Sequence, residues 1–356
     1  MLTEKEIEQV HKQKVIIDTD MGQMNDDALS MFMLLNAENI DVLGITLVAG
    51  NTWVEEGTAF TLRQLEMIGK QDIPVFQGAN EPLMGNRQNA LKFEEGLYGN
   101  AEYIGAFARV KPSSYLTLEE RVPYWGYPTT VPENKHAVNF IVESIKKYPN
   151  EISLFVLGPC TNVALAVKTH PEIIPLVKQV FFMGGAIDIR GNTTPAAEFN
   201  FWFDPESAKI ALRCGFKEQY LVPNDIAEKV YFTKEIYQRV TENESPLSKM
   251  FKDIHGARFE VDGYKSFVWD VITIAVFLDP SMIAKEEIAY IDIDAMYGPN
   301  YGRSIAYGES RRRSFEQPAN FPAGSETIKI IMDIDREKFW NIYLNLLTVH
   351  THKSNV

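Results

Sequence analysis

Four aspartates crowd the ten residues Asp18-Thr19-Asp20-Met21-Gly22-Gln23-Met24-Asn25-Asp26-Asp27, directly after the apolar run Val15, Ile16 and Ile17. A solvated turn accounts for one Asp-Asp pair. It does not account for four carboxylates set against a buried strand, because their mutual repulsion needs a compensating charge. A glycine turn after the strand can bring Asp18, Asp20 and Asp27 around a small oxygen-seeking cation, with another acidic residue supplied from later in the chain. Calcium takes several carboxylate, carbonyl and water oxygens in flexible geometry, whereas magnesium demands an octahedron. The same D-T-D also fits an aspartyl nucleophile, with Asp18 attacking phosphorus.

A second polar group runs from Gly191 to Asn200. Pro195 favours a non-helical entry. If 196–201 is extended, the i, i+2 spacing of Glu198 and Asn200 puts both on one face, near Asn192. That face suits hydrogen bonding to a polar ligand, and a polar surface loop suits the same residues. Trp269-Asp270 sets an aromatic ring beside a carboxylate at the start of an apolar stretch, where core packing is the plainer role for an indole. Gly184-Gly185 predicts a tight turn and lacks the pattern of a phosphate-cradling loop.

For these groups to meet, the intervening elements must return them to one edge of a sheet. Apolar runs at 14–18, 41–48, 73–77, 152–157 and 180–183 read as strands, and 26–36, 55–69, 135–148 and 161–168 carry helical patterning. Their alternation predicts an α/β fold with a predominantly parallel central sheet, peripheral helices and long active-site loops. In such sheets ligands lie beyond the carboxyl ends of the strands. Glycine and proline interrupt 82–132, which predicts loops with short helices. Further helices are expected at 204–212, 233–250 with an interruption at Pro246, from Trp269-Asp270 onward, and at 335–347. Further strands are expected at 218–223, 288–294, 304–307 and 327–333. No unit repeats, so 14–349 reads as a single catalytic domain. Before it lies an amino-terminal arm or short helix, 1–13, with a capping box from Thr3 to Glu6, and after it a tail, 350–356.

Lysine plus arginine number 35 against 48 aspartate plus glutamate, a formal charge of -13 that opposes attraction to nucleic acid. The arginine run 311–313 fits a solvated face or loop. No apolar run is long enough for a conventional membrane span, and 1–13 is too polar for a secretory leader, so a cytoplasmic protein without a membrane partner is expected. Cys160 and Cys214 lack the spacing of a disulfide framework or a zinc site.

Several separated motifs, in order, resemble those of the inosine-uridine nucleoside hydrolase family. They are D-T-D-M-G-Q-M-N-D-D-A from Asp18, V-A-G-N from Val48, L-G-P-C-T-N from Leu157, M-G-G-A from Met183, G-N-T-T-P-A-A-E-F-N from Gly191 and W-D-V from Trp269. The resemblance runs over roughly 14–347. It implies a homodimer or homotetramer that uses water to cleave the N-glycosidic bond of a ribonucleoside substrate, with calcium as cofactor. It also implies that Asp20, Asp27, Asp270 and the backbone carbonyl of Thr161 are calcium ligands, with Asp20 also the base for the attacking water. Asp18 resembles a residue that organises the ligands from behind. Asp26, Asn192, Glu198, Asn200 and Asp270 resemble the groups that hold ribose hydroxyls, with Asn51 near the sugar and water. Carboxylates there stabilise the oxocarbenium-like charge that grows on the ring, and hydroxyl contacts fix the anomeric carbon beside the water.

Two positions depart from the family pattern. Met24 stands where relatives often carry another aspartate, and Trp269 stands where many carry the histidine that precedes the later aspartate. An indole cannot protonate a departing base at neutral pH. A purine-preferring subgroup carries tryptophan there, so stacking of Trp269 on a purine is expected. Phe93, Tyr98 and Trp125 are candidates for a second stacking partner. His136, His170 and His255 are alternative acids, each of which also fits a surface or packed role. A metal-dependent phosphohydrolase and a noncatalytic nucleoside-binding protein are the two competing functions.

Overall fold

The structure is a computed structural model that describes residues 12–85, 87–99, 101, 103–308, 311 and 326–348. The expected capping box, the terminal tail, Arg312 and Arg313 lie outside the described residues. The described residues form eleven strands: β1 (Gln13–Thr19), β2 (Ile40–Leu47), β3 (Val75–Gln77), β4 (Ile152–Val156), β5 (Gln179–Met183), β6 (Gln219–Val222), β7 (Tyr231–Phe232), β8 (Ser266–Phe267), β9 (Ile283–Ile293), β10 (Ser304–Tyr307) and β11 (Thr327–Ile334). Nine of them form one sheet in the order β10-β9-β11-β6-β5-β4-β1-β2-β3, and β7 pairs with β8 apart from it. The strands from β3 to β11 run parallel, and β9 is antiparallel to both β10 and β11.

Both faces of the parallel part are covered, which is why its strands read as continuous apolar runs. Val15 and Ile17 of β1 enter one core with the helices Asp26–Asn36, Val54–Met67 and Asp270–Leu278. Ile16 enters the opposite core with the helices Ala137–Lys147, Thr161–Thr169 and Pro205–Leu212. The chain goes outward from β1 to β2 and β3, then returns to place β4 on the other side of β1. That reversal opens a crevice at the carboxyl ends of β1 and β4. Hydrogen bonding continues past the strands: Val48 N–H donates to the Thr19 carbonyl at 3.1 Å and Leu157 N–H to the Asp18 carbonyl at 2.8 Å.

Three elements refine the pattern expected from sequence. The 82–132 segment contains a helix of eleven residues, Gln88–Tyr98. Among its described side chains only Glu94 is buried, with Leu91 packing at the edge of the core, so apolar periodicity does not announce it. Arg87 pairs with Glu94 at 2.8 Å and donates to the carbonyls of Trp202 and Phe203, while Trp202 Nε1 donates to Glu94 at 2.6 Å. The interruption expected at Pro246 is present, since helices Lys234–Thr241 and Pro246–Phe259 flank it with Pro246 opening the second, and the difference is that the second runs on past 250. β9 starts at Ile283, ahead of the expected residue 288, because its first half exposes Lys285 and Glu286 near the sheet edge. Among the described residues, no helix is long and apolar enough to cross a membrane.

Glu66, near the end of the helix Val54–Met67, fastens the far end of the long segment. One of its oxygens accepts from the N–H and hydroxyl groups of both Thr129 and Thr130 at 2.7 to 2.9 Å, and the other accepts from Arg63 at 3.0 Å. Burial pushes its carboxyl up, but the donors of Thr130, Thr129 and Arg63 outweigh it and hold the group at about 2. A carboxyl depressed in the folded state stabilises the fold above its ordinary value of 4.5, and that contribution disappears as pH falls towards 2. Glu66→Gln is expected to lower Tm at pH 7 by about 2–4 °C. The gap to wild type, followed by circular dichroism, should narrow below pH 4.5; a pH-independent gap contradicts the assignment.

Candidate active site

The end of β1 delivers Asp18 and Asp20 to the crevice, and the helix Asp26–Asn36 begins with the other two aspartates of the motif. Asn25 caps that helix: its side-chain oxygen accepts from Ala28 N–H at 3.3 Å and from Gly22 N–H at 3.1 Å. Asp18 Oδ1 accepts from Thr46 Oγ1 at 2.6 Å and Asn162 Nδ2 at 2.8 Å. Asp20 accepts from the Asn51 backbone at 2.6 Å and from Asn51 Nδ2 at 3.2 Å. The same amide reaches Asp27 Oδ2 at 3.3 Å, so Asn51 links the two carboxylates. Asp27 also accepts from Thr19 Oγ1 and, at 2.6 Å, from Asn25 Nδ2. Asp270 opens the helix Asp270–Leu278 and joins Asp26 and Asp27, one oxygen of each lying within 4.8 Å of the others.

Two glycines make room for Asp20. A Cβ on Gly50 would sit 2.1 Å from Asp20 Oδ2 and 2.7 Å from Pro159, and one on Gly158 would sit 2.9 Å from Asp20 Cγ. These contacts give a physical reason for glycine in V-A-G-N and L-G-P-C-T-N. Met24 takes a left-handed backbone, φ 54°, with its N–H on Gln64 at 2.9 Å and its carbonyl receiving His255 Nε2 at 2.7 Å.

Burial pushes the carboxyls of Asp18 and Asp27 up to about 7, with the charge of Asp26 adding to the rise at Asp27. Burial first, then neighbouring aspartates, drive Asp20 and Asp270 well above the ordinary carboxylate range. For Asp26 burial again raises the group, and the backbone N–H groups of Asp270 and Trp269 oppose it. Asp18 Oδ2 and Asp270 Oδ1 are buried with no hydrogen-bond partner. Crowded oxygen donors, two of them lacking a protein partner, fit a hard divalent cation.

A cavity of about 450 Å³ opens above this floor, lined among others by Asp26, Asn51, Asn192, Glu198, Asn200, Trp269 and Asp270. The expected extended segment at 196–201 is corrected here. Phe199–Phe203 is a short helix and Glu198 is its cap, accepting from Asn200 N–H at 2.8 Å and Phe201 N–H at 3.2 Å. Glu198 also receives Gly185 N–H at 2.8 Å, where φ is +81°, so the glycine pair is a turn that docks on the capping carboxylate. Asn200 and Glu198 reach the cavity from a helix start, because a free carboxylate satisfies the first-turn N–H groups better than an extended chain would. Burial raises Glu198 to about 7 against those backbone donors. Asn200 Nδ2 donates to the carbonyls of Leu157 and Met183 at 2.8 and 3.1 Å, and Asn192 Oδ1 accepts from Phe199 N–H at 2.9 Å.

Thr161 begins its helix next to the site, and its hydroxyl donates to Asp204 at 2.6 Å. Trp269 lines the cavity, with Phe267 edge-on at 5.7 Å. Phe93, Tyr98 and Trp125 do not line it: Phe93 packs on Tyr297, the Tyr98 hydroxyl donates to the Pro299 carbonyl, and Trp125 stacks on Tyr124. The aromatic groups found there instead are Tyr103 and Phe199, 4.9 Å apart, with the Tyr103 hydroxyl donating to Asn51 Oδ1 at 2.9 Å. Tyr103 and Arg121 sit in segments without motif or periodicity. The nearest signal for Tyr103 was Gly105, which has φ +55° and leaves no room for a Cβ beside the Gly50 carbonyl. No histidine is among the cavity-lining described residues. His136 caps a helix, His170 contacts Glu172, and His255 holds Met24.

A family profile described as inosine-uridine preferring nucleoside hydrolase matches residues 15–341. The chain belongs to that family. A pyrimidine-specific ribonucleoside hydrolase of Escherichia coli is 28% identical over 338 residues, spanning 94% of this chain and 96% of the relative. The structure of a plant nucleoside hydrolase matches with a TM-score of 0.76 at 26% identity, covering 95% of this chain and 99% of that one. A purine-preferring ribonucleoside hydrolase from Gardnerella vaginalis has the same fold, with a TM-score of 0.70 at 23% identity over 94% of this chain and 98% of that one. The enzyme is a nucleoside N-ribohydrolase with a clustered acidic metal site, and neither competing function is favoured. Gly50→Ala is expected to keep the far-UV spectrum while lowering kcat for ribose release about 100-fold, the cost of displacing a reacting group by about 1 Å. Unchanged turnover contradicts the packing around Asp20.

Proposed function

We propose that the protein is a calcium-dependent, purine-preferring ribonucleoside hydrolase in which Asp20 accepts the proton of the attacking water. The observation that carries this is the buried acidic floor, with partnerless carboxylate oxygens, beneath a cavity whose other polar groups suit sugar hydroxyls. Asp20, Asp27, Asp270 and the Thr161 carbonyl would hold the ion, with Asp26 beside Asp27 and Asp270. Bound there, calcium supplies Lewis acidity that makes a water nucleophilic at neutral pH.

Both donors of Asn51 hold the Asp20 carboxylate in place, so it takes the proton without reorienting. Asp18, braced by Thr46 and Asn162, supports that arrangement from behind. Asn200 has its amide nitrogen engaged and offers its oxygen to a ribose hydroxyl, and Asn192 has its oxygen engaged and offers its nitrogen. Glu198 completes the sugar contacts. Asp26 and Asp270 face the ring and stabilise the positive charge it acquires. Trp269 offers the base an aromatic face, which a purine covers more fully than a pyrimidine does. The pyrimidine-specific activity of the Escherichia coli relative defines the opposite outcome. A homodimer or homotetramer belongs to the same reading, supported by family membership.

The test is a product-resolved panel of inosine, guanosine, adenosine, uridine and a nucleotide, run with calcium and after chelation. Free base and ribose are expected, with purine kcat/KM at least about tenfold above uridine, a difference of about 1.4 kcal/mol. Chelation should abolish turnover and calcium restore it. Asp20→Asn should lower kcat by about 10²–10⁴-fold in a folded protein. Equal turnover of uridine overturns the purine preference, and activity that survives complete chelation overturns the metal dependence.

A further inference from the structure

The acidic floor has a cationic counterpart: Arg121 is the sole lysine or arginine among the described residues that line the cavity. Its guanidinium lies over the Phe60 ring at 5.4 Å, and no hydrogen bond or ion pair to a described residue engages it. Arg109, close by, illustrates the structural alternative. It donates to Glu56 at 3.0 and 3.1 Å, to the Asn51 carbonyl at 2.8 Å and to the Gly105 carbonyl at 3.2 Å. Burial and then the charge of Arg109 both work against a cation at Arg121. Its donors are not committed to the described residues, so they are available to a ligand in the cavity.

The electrostatics say which part of a nucleoside that is. When the glycosidic bond breaks, the ribose becomes positive and the base keeps the electron pair. A guanidinium against the sugar raises the barrier, and one against the base lowers it. The charged and titratable groups that act on Arg121 are Arg109, Glu56 and Tyr103, none of them a floor aspartate. Among the described residues that line the cavity there is no histidine, and the indole of Trp269 cannot supply a proton to the base.

We propose that Arg121 is the leaving-group residue: its N–H groups donate to acceptor atoms of the nucleobase and stabilise the negative charge that the base acquires. This rests on the ribohydrolase reading above. The water oxygen bonds to the anomeric carbon, Asp20 takes the water proton, and the carbon–nitrogen electron pair stays on the base nitrogen. The base is then protonated from solvent while Asp20 returns its proton to solvent. A guanidinium fork matches the paired O6 and N7 acceptors of a 6-oxopurine, which makes inosine and guanosine the substrates best served.

The test compares inosine with p-nitrophenyl β-D-ribofuranoside, whose leaving group departs as a stable anion without assistance. Arg121→Gln should lower kcat on inosine about 10²–10³-fold, the usual loss for one charge-stabilising donor, and change the nitrophenyl riboside less than about threefold. Arg121→Lys should recover part of the loss on inosine, and it preserves packing over Phe60 if the Gln variant does not fold. Equal losses on both substrates, or no loss on either, overturn the proposal. A wild-type preference for inosine 5′-monophosphate that vanishes in Arg121→Gln also overturns it, by assigning the guanidinium to a phosphate. Wild-type protein that releases ribose from neither substrate defeats the underlying reading instead.

Discussion

Like charges withdrawn from water repel strongly, and the floor of this cavity is built from them. Asp18, Asp20, Asp27 and Asp270 are buried, and Asp26 joins Asp27 and Asp270 from the cavity side. Burial is the leading cause of the upward shift at every one of these carboxyls, and their neighbours' charges add to most of the shifts. Such an arrangement persists only where the surrounding fold over-determines it and a positive charge offsets it. The donors of Asn51, Thr46, Asn162, Asn25 and Thr19 hold the oxygens in place without neutralising them. What they leave uncompensated is the charge that a divalent ion supplies.

The sheet provides the over-determination. β1 is buried on both faces, so a one-residue slip would drive Asp18 into a hydrophobic core. Reversal of strand order beside β1 puts the Gly50 and Gly158 loops against Asp20 with no room for another side chain. Two helices, Asp26–Asn36 and Asp270–Leu278, direct their amino termini at the cluster with acidic residues in the first turn. Their partial positive charge further reduces the repulsion. The cavity therefore carries carboxylates at its floor and one described cation, Arg121, on the long segment that Glu66 fastens.

Elements whose stability comes from apolar burial were legible because burial leaves a period in the chain. β1, β2, β4 and β5 and the helix Asp26–Asn36 lie within a residue or so of their sequence-based limits. Glu198 and Asn200 illustrate the converse. Their place in the pocket was legible from the motif, yet the local conformation was not, since a carboxylate that caps a five-residue helix leaves no hydrophobic pattern. The helix Gln88–Tyr98 escaped notice for a related reason: a buried ion pair and an indole hydrogen bond secure it to the Phe199–Phe203 helix, in place of an apolar stripe.

By itself the sequence determined the chemistry available: a strand that ends in aspartates, glycines where carboxylates need space, amides in the second polar cluster and an indole in place of histidine. These are properties of residue type and local spacing, which survive in one dimension. Tertiary structure alone decided that Asp270 meets Asp26 and Asp27 from more than 240 positions away in the chain. It also decided that Tyr103 and Arg121 enter the cavity while Phe93, Tyr98 and Trp125 stay outside. The physical reason is that Tyr103, Arg121 and Trp125 ride on irregular segments, whose course is set by a few long-range hydrogen bonds and close backbone contacts, while the helix that carries Phe93 and Tyr98 is docked by polar contacts, and no periodicity records either.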